Sequence, residues 1–136
     1  MRAVFTIVLA ALALSACGGV GLGATPSPTG TGGMFDLAVS EKDTAATLHT
    51  GQKLEVVLHA APNMANWTDV HSSDPAILKV VVNPAATAAR GVTLAAYQAV
   101  AKGHAQITAT AAPDCKTNMA CPQFMAVWSV EVTVTG

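Results

Sequence analysis

Three groups of side chains in this sequence have the types that chemistry requires. His71-Ser72-Ser73-Asp74 holds the residue types of a hydrolase triad. A working triad converges from separate elements rather than from neighbours in sequence. Ser and Asp just ahead of Pro75 cap a turn, so this stretch is expected to be structural. The histidines His49, His59, His71 and His104 show neither H-x-H nor H-E-x-x-H spacing. Singly, they read as exposed strand or loop residues, and no metal site is expected from their pattern. Asn63-Met64 and Asn118-Met119 supply thioethers, soft ligands suited to Cu(I). Methionine also fills gaps adaptably, so a copper site is the sharper of two readings. No nucleophile–base pair, phosphate loop or metal motif stands out. The chain is expected to be non-enzymatic and to carry no cofactor.

Charge excludes another class. Lys and Arg number 7 against 8 Asp and Glu, and charged residues are 11% of the chain. There is no basic cluster to track a phosphate backbone, so no nucleic-acid partner is expected. Met1-Arg2, the apolar run Val4 to Leu14 broken only by Thr6, and the small Ser15-Ala16 form the n-region, h-region and cleavage pattern of a secretory signal. The run is too short to span a bilayer, which takes about 20 residues.

With that run before it, Leu14-Ser15-Ala16-Cys17 resembles the lipobox of a bacterial lipoprotein. The resemblance implies a signal peptide at residues 1–16 and lipidation of Cys17, the first mature residue. Acyl chains hold a membrane by about 0.8 kcal/mol per buried methylene. The expected location is exported and lipid-anchored, at the cell membrane or the outer membrane. Gly18 in place of an inner-membrane retention aspartate favours the latter where one exists. Residues 17–34, rich in Gly, Thr, Ser and Pro, read as a disordered tether with a reach of about 20 Å. With Cys17 lipidated, Cys115 and Cys121 are left as an even pair in an oxidising setting. Their spacing suits neither a C-x-x-C redox motif nor a common zinc pairing, so a disulfide is expected.

Residues 35–136 read as β. Lys53 to His59 alternates, with Leu54, Val56 and Leu58 on one face. His104 to Ala111 places Ala105, Ile107 and Ala109 inward. The last strand turns Phe124, Ala126, Trp128, Val130, Val132 and Val134 to one side. Shorter candidates are Phe35–Val39, Ala45–His49, Trp67–Val70, Ile77–Val82 and Val92–Ala101, separated by Gly, Pro, Asn and Asp turns. Pro84 to Ala101 is alanine-rich enough for a helix, but Gly91 and the Val92-Thr93-Leu94 start favour a loop and then a strand. The sum is an all-β chain, an antiparallel sandwich of seven to eight strands.

His49-Thr50-Gly51-Gln52-Lys53-Leu54-Glu55-Val56, Trp67 with Ser73-Asp74-Pro75-Ala76-Ile77-Leu78, and Tyr97 to Thr110 together resemble bacterial immunoglobulin-like domains. They are close to the chagasin-like group, inhibitors of papain-type cysteine proteases. That resemblance implies an immunoglobulin-like sandwich with Trp67 and Trp128 in its core, and three loops at one end that enter a protease cleft. The corresponding stretches are Ala61-Pro62-Asn63-Met64-Ala65-Asn66-Trp67, Ala88-Ala89-Arg90-Gly91 and Pro113 to Pro122. The first departs from an N-P-T-T-G-aromatic-x-W pattern but keeps the tryptophan. The second has one glycine of a G-x-x-G pattern, and the third lacks Arg-Pro-Trp. The expected binding residues are Pro62, Asn63, Met64, Asn66, Arg90, Gly91, Lys116, Asn118 and Met119. Two functions follow as expectations: an envelope lipoprotein with a non-enzymatic binding domain, or a chagasin-like inhibitor. The expected partners are a membrane, through the lipid, and a protein, either an envelope protein or a cysteine protease.

Overall fold

The structure, a computed structural model, describes residues 34–83, 89–116 and 119–136. The expected signal peptide, Cys17, the tether up to residue 33 and Asn118 lie outside the described residues. Eight strands follow in order: β1 (Leu37–Ser40), β2 (Ala45–His49), β3 (Lys53–His59), β4 (Thr68–Ser72), β5 (Leu78–Val82), β6 (Val92–Ala99), β7 (Gly103–Ala111) and β8 (Ala126–Thr135). Among the described residues there is no helix.

The strands form two four-stranded sheets, ordered β1-β3-β6-β5 and β2-β8-β7-β4. The sandwich is not purely antiparallel. β1 runs parallel to β3, with Leu37 opposite Leu54, and β2 runs parallel to β8, with Ala45 opposite Glu131. The chain changes sheet after β1 and again after β2, so each of these strands pairs with a non-sequential neighbour running its own way. A turn signal reports a reversal of the chain, but not the sheet that the next strand joins.

Period-two burial builds the core. Leu54, Val56 and Leu58 of β3 face Ile107 of β7 and Trp128, Val130, Val132 and Val134 of β8, all buried. Central β6 pairs with β3 on one side and β5 on the other, and it buries Thr93, Ala95, Ala96, Tyr97 and Ala99. That setting overrides the helical preference of its alanines, because two ladders reward the extended backbone and small side chains fit both faces. Gly103 opens β7 where a Cβ would lie 2.6 Å from Ile77 Cδ1, so the turns at that end pack closely only around glycine.

Two aromatic expectations change. Phe124 is 56% exposed, because the last β7–β8 pair is Ala111 with Ala126 and no strand faces the chain before it. Trp67, just ahead of β4, is half-buried rather than buried, packed against the core cluster. Trp128 is buried as expected. Among the described residues, two buried polar side-chain atoms have no hydrogen-bond partner, Tyr97 Oη and Trp128 Nε1.

Candidate functional site: the loop end of the sandwich

β1, β3, β5 and β7 all run toward one end, so the β1–β2 turn and the three longer connections meet there. These connections are residues 60–67, 83–91 and 112–125. Their sequences bend them locally. Met64 N–H donates to Ala61 O at 3.0 Å, closing a turn with Pro62 second and Asn63 third, and Asn63 has φ 65°. That is the left-handed third position of a type II turn, which asparagine tolerates.

Asn66 joins the first two loops. Its Nδ2 donates to Ala89 O at 2.8 Å, and its Oδ1 accepts from Gly91 N–H at 2.9 Å. Gly91, at φ 77°, takes the conformation that an L side chain strains to adopt. Ala60 N–H adds a bond to Gly91 O at 2.8 Å. The first and third loops are tied by backbone. Ala65 N–H donates to Ala112 O and Asp114 N–H to Asn63 O, both at 2.8 Å, around a Met64–Pro113 bridge. Below them, Trp67 Nε1 donates to His59 O at 2.9 Å, and the buried Thr93 hydroxyl donates to Trp67 O at 2.8 Å.

The first and third loops enclose a groove of about 490 Å³, with Pro62, Met64, Pro113, Met119, Pro122 and Phe124 along its apolar walls. A Cys115–Cys121 disulfide, Cα atoms 5.5 Å apart, spans the third loop at the groove's edge. Of the expected binding residues, Pro62, Asn63, Met64, Lys116 and Met119 line this groove. Asn66 and Gly91 form a junction between the first two loops, and exposed Arg90 lies next to Gly91 in sequence with no bond to Asn66. Met64 and Met119 thus both border the groove, and Met119 is 73% exposed, too open to be filling a gap. Among the described residues, no three His, Cys, Asp or Glu side chains converge on a metal position.

Glu41 and His59 belong to this end although their spacing carries no motif. Glu41 Oε2 accepts from His59 N–H at 3.2 Å and lies 3.3 Å from His59 Nδ1. Burial raises the Glu41 pKa, but backbone hydrogen bonds at Glu41 and His59 and the His59 ring outweigh it and hold it below its ordinary 4.5. The only sequence signal was a histidine at a strand end, because the pair forms across eighteen positions through the parallel β1–β3 pairing. The triad-like stretch is structural. His71 Nδ1 lies 2.7 Å from Asp69 O and its Nε2 3.2 Å from Thr108 Oγ1, while Asp74 accepts from Ala76 N–H at 2.9 Å.

This chain is similar to several solved structures. One is the cysteine protease inhibitor EhICP2 from Entamoeba histolytica, with 14% identity and a TM-score of 0.46, over 72% of this chain and 93% of that one. Another is amebosin, with 15% identity and a TM-score of 0.43, over 72% of this chain and 96% of that one. At these values the likeness assigns neither chemistry nor partner to this chain. No protein-family model matches the sequence, and no curated protein does.

Proposed function

We propose that this chain is a non-enzymatic, lipid-anchored binding protein whose loop end enters the cleft of a papain-type cysteine protease and blocks it. The observation that carries this reading is the stitching of three separate loops into one end by Asn66 and the backbone bonds of Ala60, Ala65 and Asp114. These are the stretches whose sequences resemble the inhibitory loops of chagasin-like proteins. A recognition surface already held in place loses little conformational entropy on binding. Loops on a rigid sandwich are where such surfaces sit. The loop end blocks by occupancy and performs no bond-making step.

The anchor at Cys17 fits this arrangement. β1 begins at the end opposite the three loops, beside the β2–β3 turn, where Asp36 N–H donates to Lys53 O. A tether that enters at Met34 therefore joins the sandwich at the end opposite the loops. The same surface could serve an envelope protein, which would be recovered by cross-linking.

The test is titration of the purified chain into papain with a fluorogenic substrate. Stoichiometric, reversible inhibition that weakens in Asn66→Ala is the expected outcome. Full papain activity in the presence of excess folded chain would remove the protease reading and leave the envelope partner.

A further inference from the structure

The third loop is held in place by two different means. Its first half is laced to the first loop by backbone. Ala112 O accepts from Ala65 N–H, Met64 bridges Pro113, and Asp114 N–H donates to Asn63 O. The second half, residues 119–125, has no such lacing. Met119 N–H donates to Lys116 O at 3.3 Å inside the loop. Among the described residues, no hydrogen bond joins this half to another loop or to a sheet, and the β7–β8 ladder starts only at Ala126. Each residue from Met119 to Met125 is exposed, so burial does not hold this half either. What ties it to the laced half is the Cys115–Cys121 bond, and both cysteines are exposed to solvent.

We propose that this bond is a reductive switch on the loop end. Oxidised, it keeps Met119, Pro122 and Phe124 in the lining of the groove with Pro62 and Met64. Reduced by a dithiol, it releases them while the sandwich stays folded. The inference rests on the reading above only in taking the loop end as the binding surface. Exposed disulfides are the labile, regulatory kind. A thiolate of the dithiol attacks one sulfur of the bridge, forming a mixed disulfide and expelling the other cysteine as a thiolate, which takes a proton. The second thiolate of the dithiol then displaces the remaining cysteine. Cys115 and Cys121 end as two thiols, and the dithiol, having given up two electrons, ends as its own cyclic disulfide. The sheets do not need the bond, because β7 and β8 pair without a break from Gly103–Val134 to Ala111–Ala126. In the reduced chain the released side chains must be ordered again at each binding event, which weakens the grip.

The probe is dithiothreitol, its reduced and oxidised forms mixed in a series of ratios with the isotope-labelled full chain and followed by amide chemical shifts. As the reduced form takes over, the amides of Met64, Met119, Ala120 and Phe124 should move to their positions in the chain carrying Cys115→Ser with Cys121→Ser, and return on oxidation. Ile107 and Val130, buried in β7 and β8, should not move. In papain titrations the doubly substituted chain should inhibit roughly tenfold more weakly than the oxidised parent, the cost of re-ordering two long side chains. Met119 and Phe124 amides unmoved by reduction, or a bridge that persists in excess reduced dithiothreitol, would overturn the switch. So would displaced Ile107 and Val130 amides, or equal inhibition by the two chains. Inhibition by neither would count against the protease reading, and the amide shifts would still decide the switch.

Discussion

Replacing Asn66 with alanine should loosen the loop end while leaving both sheets assembled. The substitution removes one donor bond to Ala89 O at 2.8 Å and one acceptor bond from Gly91 N–H at 2.9 Å. Each neutral hydrogen bond contributes about 0.5–1.5 kcal/mol net, which bounds the loss of both at about 1–3 kcal/mol. Asn66 and Gly91 are half-buried, so water can reach the freed groups and the cost falls in the lower half, about 1–2 kcal/mol. Trp67–His59 and Thr93–Trp67 still hold the loop base, so the far-ultraviolet signal should not change. Two assays read the effect. Urea unfolding gives the stability loss, and hydrogen exchange at the Gly91 amide reports the junction, with exchange expected roughly five- to thirtyfold faster. Asn66→Asp is the discriminating variant. Its carboxylate can still accept from Gly91 N–H but sets an oxygen against Ala89 O, so Gly91 should stay protected while stability falls. A stability change within about 0.5 kcal/mol, the range of ordinary surface substitutions, with Gly91 protection unchanged in the alanine variant, would refute the junction role.

Two further outcomes follow from the same end of the molecule. Cys115→Ser with Cys121→Ser should cost about 2 kcal/mol on chain-entropy grounds and keep the sandwich, because the bridge lies outside both sheets. Loss of the β signal in that variant at low urea would show that the bridge supports the sheets themselves. Glu41 is held below its ordinary pKa of 4.5 in the folded chain. The unfolded chain therefore takes up its proton first as the medium acidifies. The contribution is present above the unfolded pKa and is lost as pH falls through the folded one. Glu41→Gln should flatten this part of the acid limb in urea midpoints measured across pH, and an unchanged slope would contradict the assignment.

Most strands were legible because burial on one face writes a period of two into the sequence. Leu54, Val56 and Leu58 on β3, and Ala105, Ile107 and Ala109 on β7, are buried where alternation put them. Phe124 shows the limit of that signal, since alternation continues past the point where a partner strand stops. The disulfide was legible from cysteine number and spacing. The three stretches expected to bind were legible as loops, but not their attachment to one another. Asn66 reaches Gly91 across twenty-five positions, and Glu41 reaches His59 across eighteen. Neither pair has a local pattern.

Local composition determined by itself what each segment is: alternating strands, Pro-Asn and glycine turns, and an even cysteine pair. These follow from sterics and burial within a few residues. The tertiary structure alone decided that β1 and β2 enter different sheets as parallel partners. It also decided that the first loop is tied to the second through Asn66 and to the third through backbone bonds, and that Tyr97 buries a hydroxyl with nothing to bond. Each of these depends on which distant backbone arrives alongside, and that is settled by packing two sheets around one shared core.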